Sequence, residues 1–294
     1  MSRHGRPVST GAGRGRHREI LGRIPAGPGH VSCDTLAVCG RFTQRLSSGE
    51  FARIFGAEDL AATTGEAYNV APTQRVAAVV VRDDRRVLDR FRWGLVPGWA
   101  DRVTIGSRLI NARAETVAST PAFRHSFRAR RCLIPADGFY EWRRAPDGTR
   151  QPFYITAAGG APLVFAGLWS AWRHPSARGD RSGAGDGDPR GDRSGAADGA
   201  AGGDRSSAAG APPLLTCSIV TTTPNALMAT LHNRMPVILE PDAWDLWLDP
   251  VLVDPGELQA LLRPSDADLV AWPVSDLVNS PRNQGPGLIE PLAP

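Results

Sequence analysis

From Cys39 to Val274 the chain is a succession of short apolar or alternating runs of four to ten residues, broken by Gly, Pro, Asp and Asn. That spacing predicts strands rather than long helices. Strands are expected from Cys39 to Thr43, Val76 to Val81, Val87 to Trp93, Cys132 to Ile134, Gly138 to Arg143, Pro152 to Thr156 and Leu163 to Trp172, then from Leu214 to Thr222, Met235 to Leu239 and Leu269 to Val274. Asp83-Asp84 and Pro146-Asp147-Gly148 are turn sequences that make hairpins of their neighbours. Helical signals are few and short. Ser47 with Glu50 forms a capping box before Phe51, Ile54 and Phe55, Leu109 to Thr116 leads into a short helix, and another follows Pro121. Further helices are expected near Asn225 to Thr230, after Pro241 and from Pro255 to Leu262. Strands joined by hairpins, without regular helical crossovers, predict an α+β class: a single domain on a mainly antiparallel, barrel-like β-sheet with short flanking helices.

Two stretches escape the pattern. Residues 1–38 are rich in Gly, Arg, Pro and Ser with neither period, so they read as a disordered or non-native extension. They lack the apolar segment of a signal peptide, and Val38 is a candidate true start, since a GUG codon initiates in bacteria but reads as valine internally. Cys39 would then become the first residue once the initiator is removed. From 174 to 213 the composition collapses to Gly, Ala, Ser, Asp and Arg, and Gly-Asp-Arg-Ser recurs at 179, 191 and 203. This reads as a flexible insertion inside one domain.

Composition narrows the function classes. No apolar run approaches a membrane span, and Cys33, Cys39, Cys132 and Cys217 lack the paired spacing of a zinc site or a disulfide scaffold, so no metal or cofactor is expected and the cysteines suit a reducing cytoplasm. The net charge of +4 lies entirely in residues 1–38, leaving the rest neutral. A neutral domain meets a polyanion only through a local patch, and Arg102 to Arg131, with seven arginines, is the densest.

All 34 basic side chains are arginine. Lysine is the usual protein amine for an aldehyde, so imine chemistry here falls to the α-amine. If the chain begins at Cys39, that amine sits beside a thiol, and a 1,2-aminothiol closes an aldehyde into a five-membered thiazolidine. Such a reaction needs an acid, a histidine and a carboxamide, for which Glu141, His232 and Asn111 lie at apolar strand ends. Singly, each has a plain structural explanation: a salt bridge, a surface histidine, a helix cap.

Six motifs in order carry more. Cys39-Gly40-Arg41-Phe42, Tyr68-Asn69-Val70-Ala71-Pro72, Trp93 to Trp99 (WGLVPGW), Asn111 to Thr116 (NARAET), Ala136 to Trp142 (ADGFYEW) and His232 to Pro236 (HNRMP) resemble the successive motifs of the SOS-response-associated peptidase, or abasic-site-processing, family. Asn283-Gln284-Gly285 fits as well. The resemblance implies a protein that recognises abasic sites in single-stranded DNA and cross-links to them through an N-terminal cysteine as a thiazolidine. It implies Cys39 as nucleophile, Asn111 holding cysteine and sugar, Glu141 as acid and base, and His232 assisting ring opening and reversal. Arg41, Asn69, Arg113 and Arg234 would hold phosphate and sugar, with Pro72 and Trp99 also on the DNA. It further implies a cytoplasmic, nucleoid-associated monomer with lyase and autopeptidase activity within its reach. Two other classes fit the residues: a cysteine peptidase built on Cys39, His232 and Glu141, and a non-catalytic single-strand-binding module using tryptophans and the arginine patch.

Overall fold

A computed structural model of the chain describes residues 39–61, 65–177, 212–252 and 254–293. The extension 1–38 and most of the predicted insertion lie outside the described residues. The elements are β1 (Arg41–Gln44), α1 (Ser48–Phe55), β2 (Glu58–Asp59), β3 (Ala67–Val70), β4 (Arg75–Arg82), β5 (Arg85–Trp93), β6 (Asn111–Arg113), α2 (Arg124–Ala129), β7 (Arg131–Ala136), β8 (Gly138–Arg144) and β9 (Arg150–Ala157). They continue with β10 (Leu163–Trp172), β11 (Leu214–Thr222), α3 (Ala226–Ala229), β12 (Met235–Pro236), α4 (Trp244–Leu248), α5 (Pro255–Ala260) and β13 (Leu269–Pro273). No described helix is long and apolar enough to cross a membrane.

Five strands close a barrel. β4 pairs antiparallel with β5 and β7, β7 with β10, and β10 with β11, while a parallel seam between β11 and β5 (Thr216 opposite Arg92, Cys217 opposite Trp93) shuts the ring. A second sheet, β13-β9-β8-β1-β3, packs its inner face on the same interior. Alternation sets what goes inside: Val76, Ala78 and Val80 of β4, Cys132 and Ile134 of β7, Phe165 of β10 and Cys217 and Ile219 of β11 point into one apolar cluster with Phe42, Phe139 and Cys39. The other face of the barrel strands meets the helices in a second cluster around Phe51, Phe55, Phe127, Leu133, Leu168 and Trp247. The class is α+β and mostly β, as the run pattern predicts.

Local signals placed several elements. The Ser47 hydroxyl accepts from Glu50 N at 3.3 Å, the Glu50 carboxylate accepts from Ser47 N at 2.9 Å, and Gly56 ends α1 at φ 57°, where a Cβ would be strained. Other readings are corrected. Leu109 to Thr116 does not start a helix; Asn111–Arg113 is a strand lying parallel to β11, with Asn111 opposite Ile219 and Arg113 opposite Thr221. Partners from a distant strand override local preference there, since Ile219 N donates to Ile110 O and Ala114 N to Thr221 O. The strand expected from Met235 to Leu239 shortens to Met235–Pro236, because Pro236 has no N–H to extend the ladder. The residues after it hydrogen-bond alternately to β11 and β10, through Val237 N to Val220 O and Leu239 N to Val164 O.

Trp172 stands opposite Leu214 in the β10–β11 register, so the long connection between them joins two neighbouring strands as a hairpin.

Candidate active site

β1 and β8 bring the predicted nucleophile and acid together. Their register sets Arg41 opposite Tyr140, which carries Cys39 to Glu141. The Cys39 backbone nitrogen donates to Glu141 Oε1 at 2.6 Å, and both residues are buried. In a chain that starts at Cys39 this nitrogen is the α-amine; here it is a peptide N–H standing in for it. Gly138 lets β8 lie close against β9, since a Cβ there would come within 2.4 Å of the Tyr154 ring and hydroxyl and 2.6 Å of Ile155 O. Tyr154 in turn shares a 3.0 Å hydrogen bond with the Thr43 hydroxyl, tying β9 to β1.

Burial pushes the Glu141 carboxyl up to about 8, against the pull of the Cys39 and Trp142 N–H groups. Burial also drives the Cys39 thiol well above its ordinary value, and the Glu141 charge adds to that. The site therefore holds a protonatable acid beside a neutral thiol. Cys39 has a positive φ of 48°, an uncommon conformation for a residue bearing a Cβ.

Asn111 is half-buried on β6, and its neighbour Ile110 belongs to the cluster that contains Cys39. His232 follows Leu231 of the same cluster. Its Nδ1 accepts from Arg234 N at 3.2 Å, which assigns the remaining proton of the neutral ring to Nε2. Burial, with the Arg234 charge, holds the imidazole below its usual pKa, so the neutral form dominates near pH 7.

The residues read as DNA contacts fall into three groups. Arg41 and Asn69 are joined to each other and to the C-terminal segment. The Arg41 guanidinium donates to Asn69 Oδ1 at 2.9 Å, Val278 O at 2.6 Å and Asn279 O at 3.1 Å, and Asn69 Nδ2 lies 2.9–3.2 Å from the carbonyls of Val278, Ser280 and Asn283. Gln284 closes the network, its Oε1 accepting from Tyr68 N and Asn69 N at 2.9 and 3.1 Å. Arg113 and Arg234 flank Glu115: Arg234 Nη1 and Nη2 reach its two oxygens at 2.6 and 3.0 Å. Pro72 is half-buried ahead of β4, and Trp99 is 58% exposed beside a groove of about 300 Å³ lined in part by Pro121, His125 and Arg130. Of the seven arginines in the predicted patch, Arg131 is buried and serves the fold, donating to the carbonyls of Phe127, Arg128, Trp247 and Leu252. Reading the sequence missed two participants, Glu115 and Gln284, whose only signal is membership in the quoted motifs.

A family model described as SOS response associated peptidase (SRAP) matches residues 38–281, opening one residue before Cys39. The abasic site processing protein YoqW of Bacillus subtilis (strain 168) is 38% identical over 257 residues, covering 86% of this chain and 99% of that protein. YedK of Escherichia coli (strain K12), of the same description, is 30% identical over 265 residues, covering 87% of this chain and all of its own. Among solved structures, a protein from Bacteroides thetaiotaomicron superposes with a TM-score of 0.68 at 23% identity over 87% of this chain and 100% of that one, which supports the fold. A phage-related protein from Bordetella bronchiseptica does so with a TM-score of 0.56 at 27% identity, over 84% and 99% of the two chains.

Proposed function

The chain belongs to the SOS response associated peptidase (SRAP) family, and from that premise we propose that it processes abasic sites in DNA, taking the sugar aldehyde onto the amine and thiol of Cys39. The carrying observation is the 2.6 Å contact between the Cys39 nitrogen and the buried Glu141 carboxylate. An amine there loses a proton to Glu141 and attacks the aldehyde carbon. Glu141 returns the proton to the departing hydroxyl, so that water leaves and an imine forms. The thiol then adds across the C=N bond, its proton passing to nitrogen, and the thiazolidine closes. Neutral His232 has its Nε2–H to donate to the sugar oxygen during ring opening. Arg113 and Arg234 take the flanking phosphates, with Trp99 and Pro72 along the strand.

The working chain in this reading starts at Cys39. With residue 38 attached the nitrogen is an amide and cannot form an imine. The partner is single-stranded DNA and the acting form is a cytoplasmic monomer, reaching the nucleoid when bound; strand cleavage at the abasic site and self-removal of the leader are finer activities compatible with the same groups. A cysteine peptidase reading is less well supported. Peptidase thiolates are stabilised by a neighbouring cation, whereas the ionisable neighbour of Cys39 is a carboxylate that raises its pKa.

The test compares the Cys39-starting protein with the same protein acetylated on its α-amine. Because the chain has no lysine, acetylation blocks the one primary amine. The unmodified protein should give a heat-stable adduct with abasic single-stranded DNA, mapping to Cys39, and the acetylated protein none. An acetylated protein that forms the adduct at full rate overturns the reading in favour of the peptidase.

A further inference from the structure

The pair between Glu115 and Arg234 spans two motifs that are 119 residues apart. β6 and β12 lie against β11 at the same point, since Thr221 stands opposite both Arg113 and Pro236. The loop leading into β12, which carries His232 and Arg234, is thus held beside the turn that follows β6. Arg234 fixes that arrangement. Its two terminal nitrogens form an end-on fork with the Glu115 carboxylate, and Nη2 also donates to Thr221 O at 2.7 Å. With the guanidinium gripped from two sides, its side chain is only 15% exposed although Glu115 is 49% exposed. The main chain of the same arginine makes the contact that matters for the histidine, Arg234 N to His232 Nδ1. An unbroken series of bonds therefore runs from the Glu115 carboxylate through Arg234 to the imidazole.

We propose that Glu115 is a positioning residue for the reaction: by clamping Arg234 it fixes the loop that holds His232 in the Nε2–H tautomer and sets the guanidinium beside Arg113. Glu115 touches no reacting atom. A freely rotating Arg234 would let its peptide N–H drift from Nδ1, and the ring would then sample the tautomer that presents a lone pair, not a proton, to the sugar. The inference rests on the abasic-site reading for its catalytic meaning, though not for its structural content.

Two measurements separate these. Imidazole ¹⁵N spectra of the free protein, with His232 assigned by its absence in His232→Ala, should show a single Nε2–H tautomer, and Glu115→Gln should show a mixture. An unchanged tautomer in Glu115→Gln overturns the clamp whether or not the protein acts on DNA. In single-turnover capture of an abasic oligonucleotide, Glu115→Gln should slow the rate on the order of tenfold, Glu115→Asp should recover part of the loss, and in a His232→Ala background Glu115→Gln should add less than about twofold. Additive losses in the double variant overturn the proposal. So does faster capture with tighter binding of undamaged DNA, which would make the carboxylate a shield of Arg234 from phosphate. Wild-type protein that captures nothing refutes the abasic-site reading instead and leaves the spectroscopic arm standing.

Discussion

Two carboxylates, one half-buried and one deeply buried, are treated differently in this protein. Asp89 on β5 faces Arg82, 2.8 Å away, and the guanidinium lies about equally far from the rings of Phe91 and Trp169, at 6.0 and 5.9 Å. Glu141 on β8 is more deeply buried and makes no ion pair among the described residues; its partners are the backbone N–H groups of Cys39 and Trp142. An arginine is charged at every accessible pH, so Asp89 has a permanent counter-ion. The group opposite Glu141 is, in a chain starting at Cys39, an amine that gains and loses its proton near neutrality. The first carboxylate is locked, and the second can exchange a proton with its partner. Placement of the counter-charge, more than burial, is what distinguishes the two acids in the proposed reaction.

That contrast is open to direct attack. The largest effect is expected from Glu141→Gln, which keeps the shape and removes the proton carrier: capture should slow by about 10²–10⁴-fold, while Asp89→Asn leaves it unchanged, both read from time courses on denaturing gels. A slow Asp89→Asn would mean that the two acids are not functionally distinct. Next in size, Arg113→Ala should weaken capture about tenfold through loss of a phosphate contact, whereas Arg181→Ala in the insertion should not, and equal losses would point to diffuse charge. Stability should rank the acids the other way. Breaking a fully buried pair costs about 3–5 kcal/mol, and the partial exposure of Arg82 and Asp89 reduces this, so Asp89→Asn should cost about 1–2 kcal/mol in urea denaturation.

The last test concerns pH. With residue 38 attached, folded Glu141 keeps its proton up to about 8, whereas the unfolded carboxyl ionises near 4.5. Between those values the folded state binds more protons, so stability falls as pH rises, and the loss is complete above the folded value. Glu141→Gln should flatten that part of the profile. A profile identical in the two proteins would show that the carboxyl is already ionised at neutral pH.

How legible this was depends on the range of the interactions. The β4–β5 hairpin, the capping box of α1 and the Gly138 to Trp142 strand follow from local alternation and turn chemistry, so Glu141 could be assigned to a strand from its neighbours alone. Asn111–Arg113 could not, because its conformation is set by hydrogen bonds to β11, more than a hundred residues away. The same holds for the charged residues. Arg41 and Arg234 read as free donors, and only the folded chain shows one tied to Asn69 and the C-terminal carbonyls and the other to Glu115. Sequence motifs named the participants; the partners inside the protein decide how each is presented.

The Trp172–Leu214 register also bears on heredity. Two strands that enter in phase are indifferent to what joins them, since lengthening a loop costs only about 0.6 kcal/mol per doubling. The joining segment repeats Gly-Asp-Arg-Ser at twelve-residue steps, at 179, 191 and 203, the trace that slipped or unequal copying leaves in a gene. Selection on folding would scarcely see such errors at this hairpin, so its length can change at little cost to the fold, while a single residue gained between Gly138 and Glu141 would turn the acid away from the Cys39 nitrogen.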